Sequence, residues 1–281
     1  MSPPIATPRS RALGFGLRKA RKARGYGLRE LARATGVHAA ELSNWELGLR
    51  VPRIEEVALL LGQLRVDVAV RERLFELAEH AREPNWLEST MPGAPADVSA
   101  YVEYERTASA MLSWEPTLVP GLLQTREYVR RIVTEPGRGP DEIDRRTEIR
   151  LARQKRLRGR DPLHYTVLIG ETAIRQGLGG PAVMAEQLRR LLLEADRPHI
   201  GLRIVPATEI GHPGLHGSFT VLEFIGLPPI VFLEQYRASA YLYDDDQIAV
   251  YRAAAKTLAS LALSEPDSAQ LLREVIGELE A

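Results

Sequence analysis

Residues 29–52 read RELARATGVHAAELSNWELGLRVP, and the spacing within this stretch decides the fold of the first third of the chain. Leu28, Leu31 and Ala32 recur at helical intervals, Gly36 interrupts them, and Leu42 and Trp45 resume the period. Ala32 is small where two helices must cross closely, Gly36 suits the positive φ of a tight turn, and Val37 returns to the core. The pattern L-A-x-x-x-G-V opens a helix-turn-helix. Working outward, Leu13, Leu17 and Ala20 precede it, Ile54, Val57, Ala58, Leu61 and Leu64 follow, and Leu74, Phe75, Leu77 and Ala78 close the series. Breakers at Gly25, Gly27, Gly48 and Pro52 leave helices of about 8–12 residues. The prediction is an all-α head of five short helices over residues 1–83.

Charge separates this head from the rest. The chain carries 37 Lys/Arg and 37 Asp/Glu over 281 residues. Residues 1–53 hold eleven basic side chains against only Glu30, Glu41 and Glu46, a net +8, so the remainder carries −8. A basic head on an acidic body points to a polyanionic partner for the head.

Composition excludes other classes. With 44% hydrophobic and 26% charged residues the chain reads as globular rather than disordered or fibrous. It has no long apolar run to cross a membrane, and its basic start lacks the apolar core of a secretory signal. The absence of cysteine removes disulfides, thiolate zinc sites and cysteine nucleophiles, and fits a cytoplasmic protein.

Residues 29–52 resemble the helix-turn-helix of Xre-type, phage-repressor-like regulators, which read E-L-A-x-x-x-G-V-S-x-x-x-I-S-x-W-E-x-G-x-R-x-P. Glu30, Leu31, Ala32, Gly36, Val37, Leu42, Ser43, Trp45, Glu46, Gly48, Arg50 and Pro52 match it. The second helix of such a unit enters the major groove with its N-terminal half. On His38–Leu47 the base-reading candidates are Ala39, Ala40, Ser43 and Asn44. The Asn44 amide can pair bidentately with adenine, whereas the two alanines offer only methyl contact. Glu41 would repel phosphates and is expected to face solvent. Arg18, Lys19, Lys22, Arg50 and Arg53 are the candidate phosphate clamps, which position rather than specify. The resemblance implies an ion pair between Arg21 and Glu46. Two positions depart from the pattern: Gly27-Leu28 replaces a Ser-Gln that contacts phosphate, and His38 replaces a Ser/Thr cap.

Residues 84–97 read as a junction rich in proline, and 98–281 as a mixed α+β regulatory domain. Helix patterns fall near 98–106, from 125 to about 133, from 140 to about 158, at 181–195, 244–261 and 266–279. Strand patterns fall at 108–114, 164–170, 199–205, 218–224 and 230–235. The basic stretch from Arg145 to Arg160 reads as a solvated face or a surface for an acidic partner. His212 and His216 stand four apart in a Gly/Pro loop with only Glu209 as a local third ligand, so no metal is expected. Asp244, Asp245 and Asp246 suit a helix start better than a cation. No phosphate loop, dinucleotide fingerprint or nucleophile elbow is present, so no catalytic group or cofactor is expected.

VPGLLQTREYVR (119–130), RLARQKRL (150–157), MAEQLRRLL (184–192) and LRIVPATEIGHPGLHGSFTVLEF (202–224) resemble the C-terminal domain of actinobacterial WhiJ-like regulators. That resemblance implies an antitoxin-like body acting with a small BldB-like protein. The expectation is a sequence-specific repressor that binds a double-stranded DNA operator as a homodimer, because one short helix reads too few bases alone. A body controlled by a small protein partner and a body that senses a small molecule are both open.

Overall fold

A computed structural model describes residues 6–83, 86–89, 99–235 and 238–281. The predicted junction therefore lies outside the described residues at 84–85 and 90–97. The chain clusters into two units. The first holds residues through 103 together with 226–230 and 235–247; the second holds 104–225, 231–234 and 248–281.

The first unit contains the five expected helices: α1 Pro8–Ala23, α2 Leu28–Thr35, α3 Ala39–Glu46, α4 Ile54–Leu64 and α5 Val68–Glu79. At 16 residues α1 outruns the expected length. Thr7 starts it, accepting from the Ser10 amide at 3.1 Å, and Arg21 and Lys22 in its last turn complement the helix dipole. Asp67 caps α5 by accepting from the Val70 amide at 2.9 Å. Leu13, Leu17, Leu31, Leu42, Val57 and Leu64 are fully buried among these helices, each contributing about 1.5–3 kcal/mol. α1 packs against α3, α4 and α5, so it is the common floor of the head. Two short strands were not anticipated: β1 Trp86–Ser89 pairs antiparallel with β7 Ala238–Leu242, with Ser89 opposite Ala238.

The second unit is a mixed sheet with helices. β2 Ala110–Glu115, β3 His164–Gly170 and β4 Ile200–Val205 run parallel, in the register Ala110 opposite His164 and Tyr165 opposite Ile200. Parallel neighbours need crossovers. The first is made by α7 Arg126–Val133 and α8 Pro140–Arg153, the second by α9 Glu171–Arg175 and α10 Pro181–Ala195. Val167, Leu168 and Ile169 are all buried, as a strand covered on both faces requires. β5 Phe219–Phe224 turns the sheet mixed by pairing antiparallel with β2, and β6 Leu227–Glu234 follows it, its last four residues belonging to this unit. α6 Ser99–Thr107, α11 Asp245–Leu261 and α12 Glu265–Glu280 complete the element order, and α12 packs on α10 and β4. α8 stops at Arg153, earlier than its pattern suggested, and a 3-10 turn carries Gln154–Leu157.

Candidate nucleic-acid interface

The helix-turn-helix is held at its turn and at its far end. Gly36 ends α2 with φ 71°, a conformation that lets α3 restart within three residues. Leu42 and Trp45 bury the inner side of α3. At the far end α1 passes so close that a Cβ on Gly14 would lie 2.2 Å from the Trp45 carbonyl oxygen. A side chain there would force the two helices apart.

Glu46 locks the same crossing electrostatically. Its carboxylate is buried and accepts from Arg21 Nε at 2.6 Å and Arg21 Nη2 at 2.8 Å, while Arg21 Nη1 donates to the Tyr26 carbonyl at 2.8 Å. The hydrogen bond to Glu46 raises the Arg21 pKa above its ordinary value, against the opposing effect of burial. A buried pair of this kind owes its stability to being complete, since removing one partner strands the other charge. Arg18, expected at phosphate, also reaches Glu46 Oε2, at 3.4 Å.

With its inner side fixed, α3 presents the remaining residues outward. Ala40 and Asn44 stand one helical turn apart and share a face, and Ala39 and Ser43 share the adjoining one. Ala40 is exposed and the other three are half-buried. Neither the Asn44 amide nor the Ser43 hydroxyl has a side-chain hydrogen bond among the described residues. His38 precedes the helix without a side-chain capping bond, leaving the first-turn amides to solvent. Glu41 is half-buried rather than fully exposed.

Lys19, Lys22 and Arg50 are exposed and form no ion pair among the described residues. Arg53 differs: its backbone amide donates to Glu56 Oε2 at 2.7 Å and its guanidinium to Glu56 Oε1 at 3.1 Å, and that side-chain bond raises its pKa. Arg29 and Arg33 on α2 are exposed and unpaired among the described residues, and neither entered the predicted clamp set. Their signal was present in the +8 count of residues 1–53, which does not say which cations face outward.

In the body, the residues singled out from sequence stand apart. His212 is buried edge-on against Trp114, with ring centroids 5.7 Å apart, while Trp114 Nε1 donates to the Gly214 carbonyl at 2.9 Å. His216 lies on the 3-10 turn Pro213–His216, and Asp245 and Asp246 sit in the first turn of α11. Among the described residues no three His, Cys, Asp or Glu side chains gather as a metal would need. The basic stretch on α8 is not wholly solvated, which corrects that expectation. Arg153 turns inward and grips buried Glu105 with two bonds, at 2.9 and 2.7 Å, and Arg150 is half-buried beside it. The partner of Arg153 lies 48 residues away, so no local pattern could announce it.

Comparison with known proteins follows the same division. A family model described as helix-turn-helix matches residues 17–70, which makes the head an Xre-type DNA-binding domain and supports a DNA-binding regulator. No curated protein sequence matches the chain. Among solved structures, that of TrmBL2, an archaeal chromatin protein with a novel mode of DNA binding, aligns at 12% identity over 85% of this chain and 88% of its own. The TM-score is 0.31, too low to equate the folds. Among the described residues no helix is long and apolar enough to cross a membrane. A second family model, described as a domain of unknown function (DUF5753), matches residues 98–274, well over half of the sequence. The chain belongs to the DUF5753 family.

Proposed function

We propose that the protein is a cytoplasmic, sequence-specific transcriptional repressor that binds a two-fold operator as a homodimer, with Ala39, Ala40, Ser43 and Asn44 meeting base edges. Lys19, Lys22 and Arg50 contact phosphates, with Arg29 and Arg33 added to that set. Arg18 and Arg53 act there only after yielding part of their bonding to Glu46 and Glu56. The observation that carries the reading is α3 itself: pinned on one side by Leu42, Trp45 and the Arg21–Glu46 pair, it keeps an unengaged Asn44 amide on the other. One recognition helix reads too few bases for a genomic site, which is the argument for two copies. The body, which resembles that of WhiJ-like regulators, is controlled by a small BldB-like protein.

The test is a salt-titrated binding assay on the DNA upstream of its own gene, with and without the neighbouring small protein. The expected result is specific binding that falls steeply with salt and changes when the neighbour is added. Unchanged footprinting by a folded Asn44→Ala, Arg50→Ala double variant would overturn the assignment of α3. A second reading, in which the body senses a small molecule, is favoured by one observation: Glu115 and Arg150 lie half-buried in the second unit without charged partners in contact.

A further inference from the structure

An α-helix turns about 100° per residue, so positions three or four apart share a side. On α1, Gly14 and Arg21 stand two turns apart on the side that meets α3. Ala12, Phe15, Lys19, Ala20 and Ala23 fall on the far side, where they line a cleft with α5. The two helices run antiparallel. Thr7 Oγ1 donates to the Ala81 carbonyl at one end of the pair, and Arg24 Nη2 donates to the Arg65 carbonyl at the other. Between these ends they touch at Gly16, where a Cβ would run into the Leu74 side chain.

The cleft has a volume of about 530 Å³, within the range of small-molecule sites, and lies wholly in the first unit. Eleven of its fifteen lining residues are apolar or glycine, so a ligand there must bring apolar surface. Its charges are gathered at one end. Ala12, Phe15, Leu77 and Ala100 make the other end wholly apolar, whereas Lys19, Arg24 and Arg73 stand against one acid, Asp67. From the level of Ala12 to that of Arg24, α1 rises about 18 Å. Asp67 is occupied in capping α5, accepting from the Val70 amide at 2.9 Å. Arg73 holds Glu76 at 3.3 Å, and Glu76 is exposed, so another anion can displace that pair at little cost. Lys19 is exposed and forms no ion pair among the described residues.

We propose that the cleft between α1 and α5 binds a free aliphatic monocarboxylate, its chain lying towards Ala12 and Leu77 and its carboxylate beside Arg24 and Arg73. Burial of the chain supplies affinity that grows with length, and the cations select an anionic head over a neutral or positive one. The site is in the head, so this inference goes beyond both the DNA-binding reading and a sensing body, and its test involves no DNA.

The experiment is calorimetric titration of the full-length protein with decanoate at pH 7, below the concentration at which decanoate forms micelles. Hexanoate, decanol and decyltrimethylammonium serve as short, neutral and cationic controls. The expected result is one saturable site per chain for decanoate, at least tenfold weaker for hexanoate and decanol and absent for decyltrimethylammonium. Arg73→Gln should weaken decanoate several-fold and leave decanol unchanged, which separates the head's contribution from the chain's. An Ala20→Leu, Ala69→Phe double variant narrows the cleft at its floor and its mouth; with an unchanged melting profile, it should weaken decanoate at least tenfold. Absence of a saturable site, equal binding of decyltrimethylammonium, or full-strength binding by the folded double variant would each overturn the proposal. Sedimentation velocity tests the other occupant: a double variant that loses the self-association of the wild type would make the cleft a seam between copies and overturn it too.

Discussion

Glu46 in the head is buried and Glu115 in the body is half-buried, and their surroundings differ sharply. Glu46 receives two bonds from Arg21 and a third, longer one from Arg18, so its charge is matched where it stands. Glu115 makes no hydrogen bond or ion pair among the described residues, and burial pushes its pKa up to about 8. A closed pair fixes geometry, which is what a recognition helix needs. A carboxyl left without a partner responds to pH instead. Burial alone therefore says little about role; completeness of partnering is what distinguishes the two acids.

The sharpest way to break this contrast is to open the closed pair. Glu46→Ala should destabilise the first unit by about 3–5 kcal/mol, because Arg21 is left charged and unpaired; a loss below about 1 kcal/mol in urea denaturation would show that the pair is not what fixes α3. The unpartnered carboxyl should respond in the opposite sense. In the unfolded chain Glu115 ionises near its ordinary 4.5, whereas the folded protein keeps it neutral up to about 8. Its contribution is thus fully favourable below pH 4.5 and is lost progressively as pH rises to 8. Glu115→Gln should therefore match wild type near pH 4.5 and exceed it by roughly 3 kcal/mol near pH 9, at ~1.4 kcal/mol per unit and allowing for the solvent that reaches the group. Parallel stability–pH curves for the two proteins would contradict this.

Smaller effects sharpen the head's side of the comparison. Asn44→Ala should cost about 1–3 kcal/mol of operator affinity, with non-specific binding unchanged, because a bidentate base contact is lost. Competition assays with operator and random DNA give both quantities. Arg50→Ala should change operator preference least of all and instead lower the slope of log K against log salt by about 0.9, the signature of one phosphate contact. A variant that alters preference but not slope would move Arg50 from phosphate to base.

Legibility in the sequence followed the distance over which each feature is encoded. Gly36, Leu42, Trp45 and Gly48 sit within thirteen consecutive residues, so the head's turn and α3 could be read from spacing. β3, β4 and β5 were equally plain, because each is a run of apolar or β-branched residues between breakers. β1 and β7 escaped notice because four and five residues, with Glu88, Ser89 and Ser239 among them, carry too little pattern. The inward turn of Arg153 was invisible for a different reason. Arginines at 150 and 153 look like a solvated helix face, and only the sheet and α6, contributed from elsewhere in the chain, turn them inward.

The pairing of β1 with β7 has a consequence for how the protein is made. Ser89 leaves the ribosome about 150 residues before its partner Ala238, an interval of roughly 7–30 s at ordinary rates of synthesis. The packing of α1 on α3, α4 and α5 joins residues within the first 79 and need not wait, but β1 spends that interval as a nascent edge strand. The first unit to begin emerging is thus among the last parts of the chain to be finished, and a stalled or truncated product ending before residue 238 would carry an unpaired edge open to aggregation.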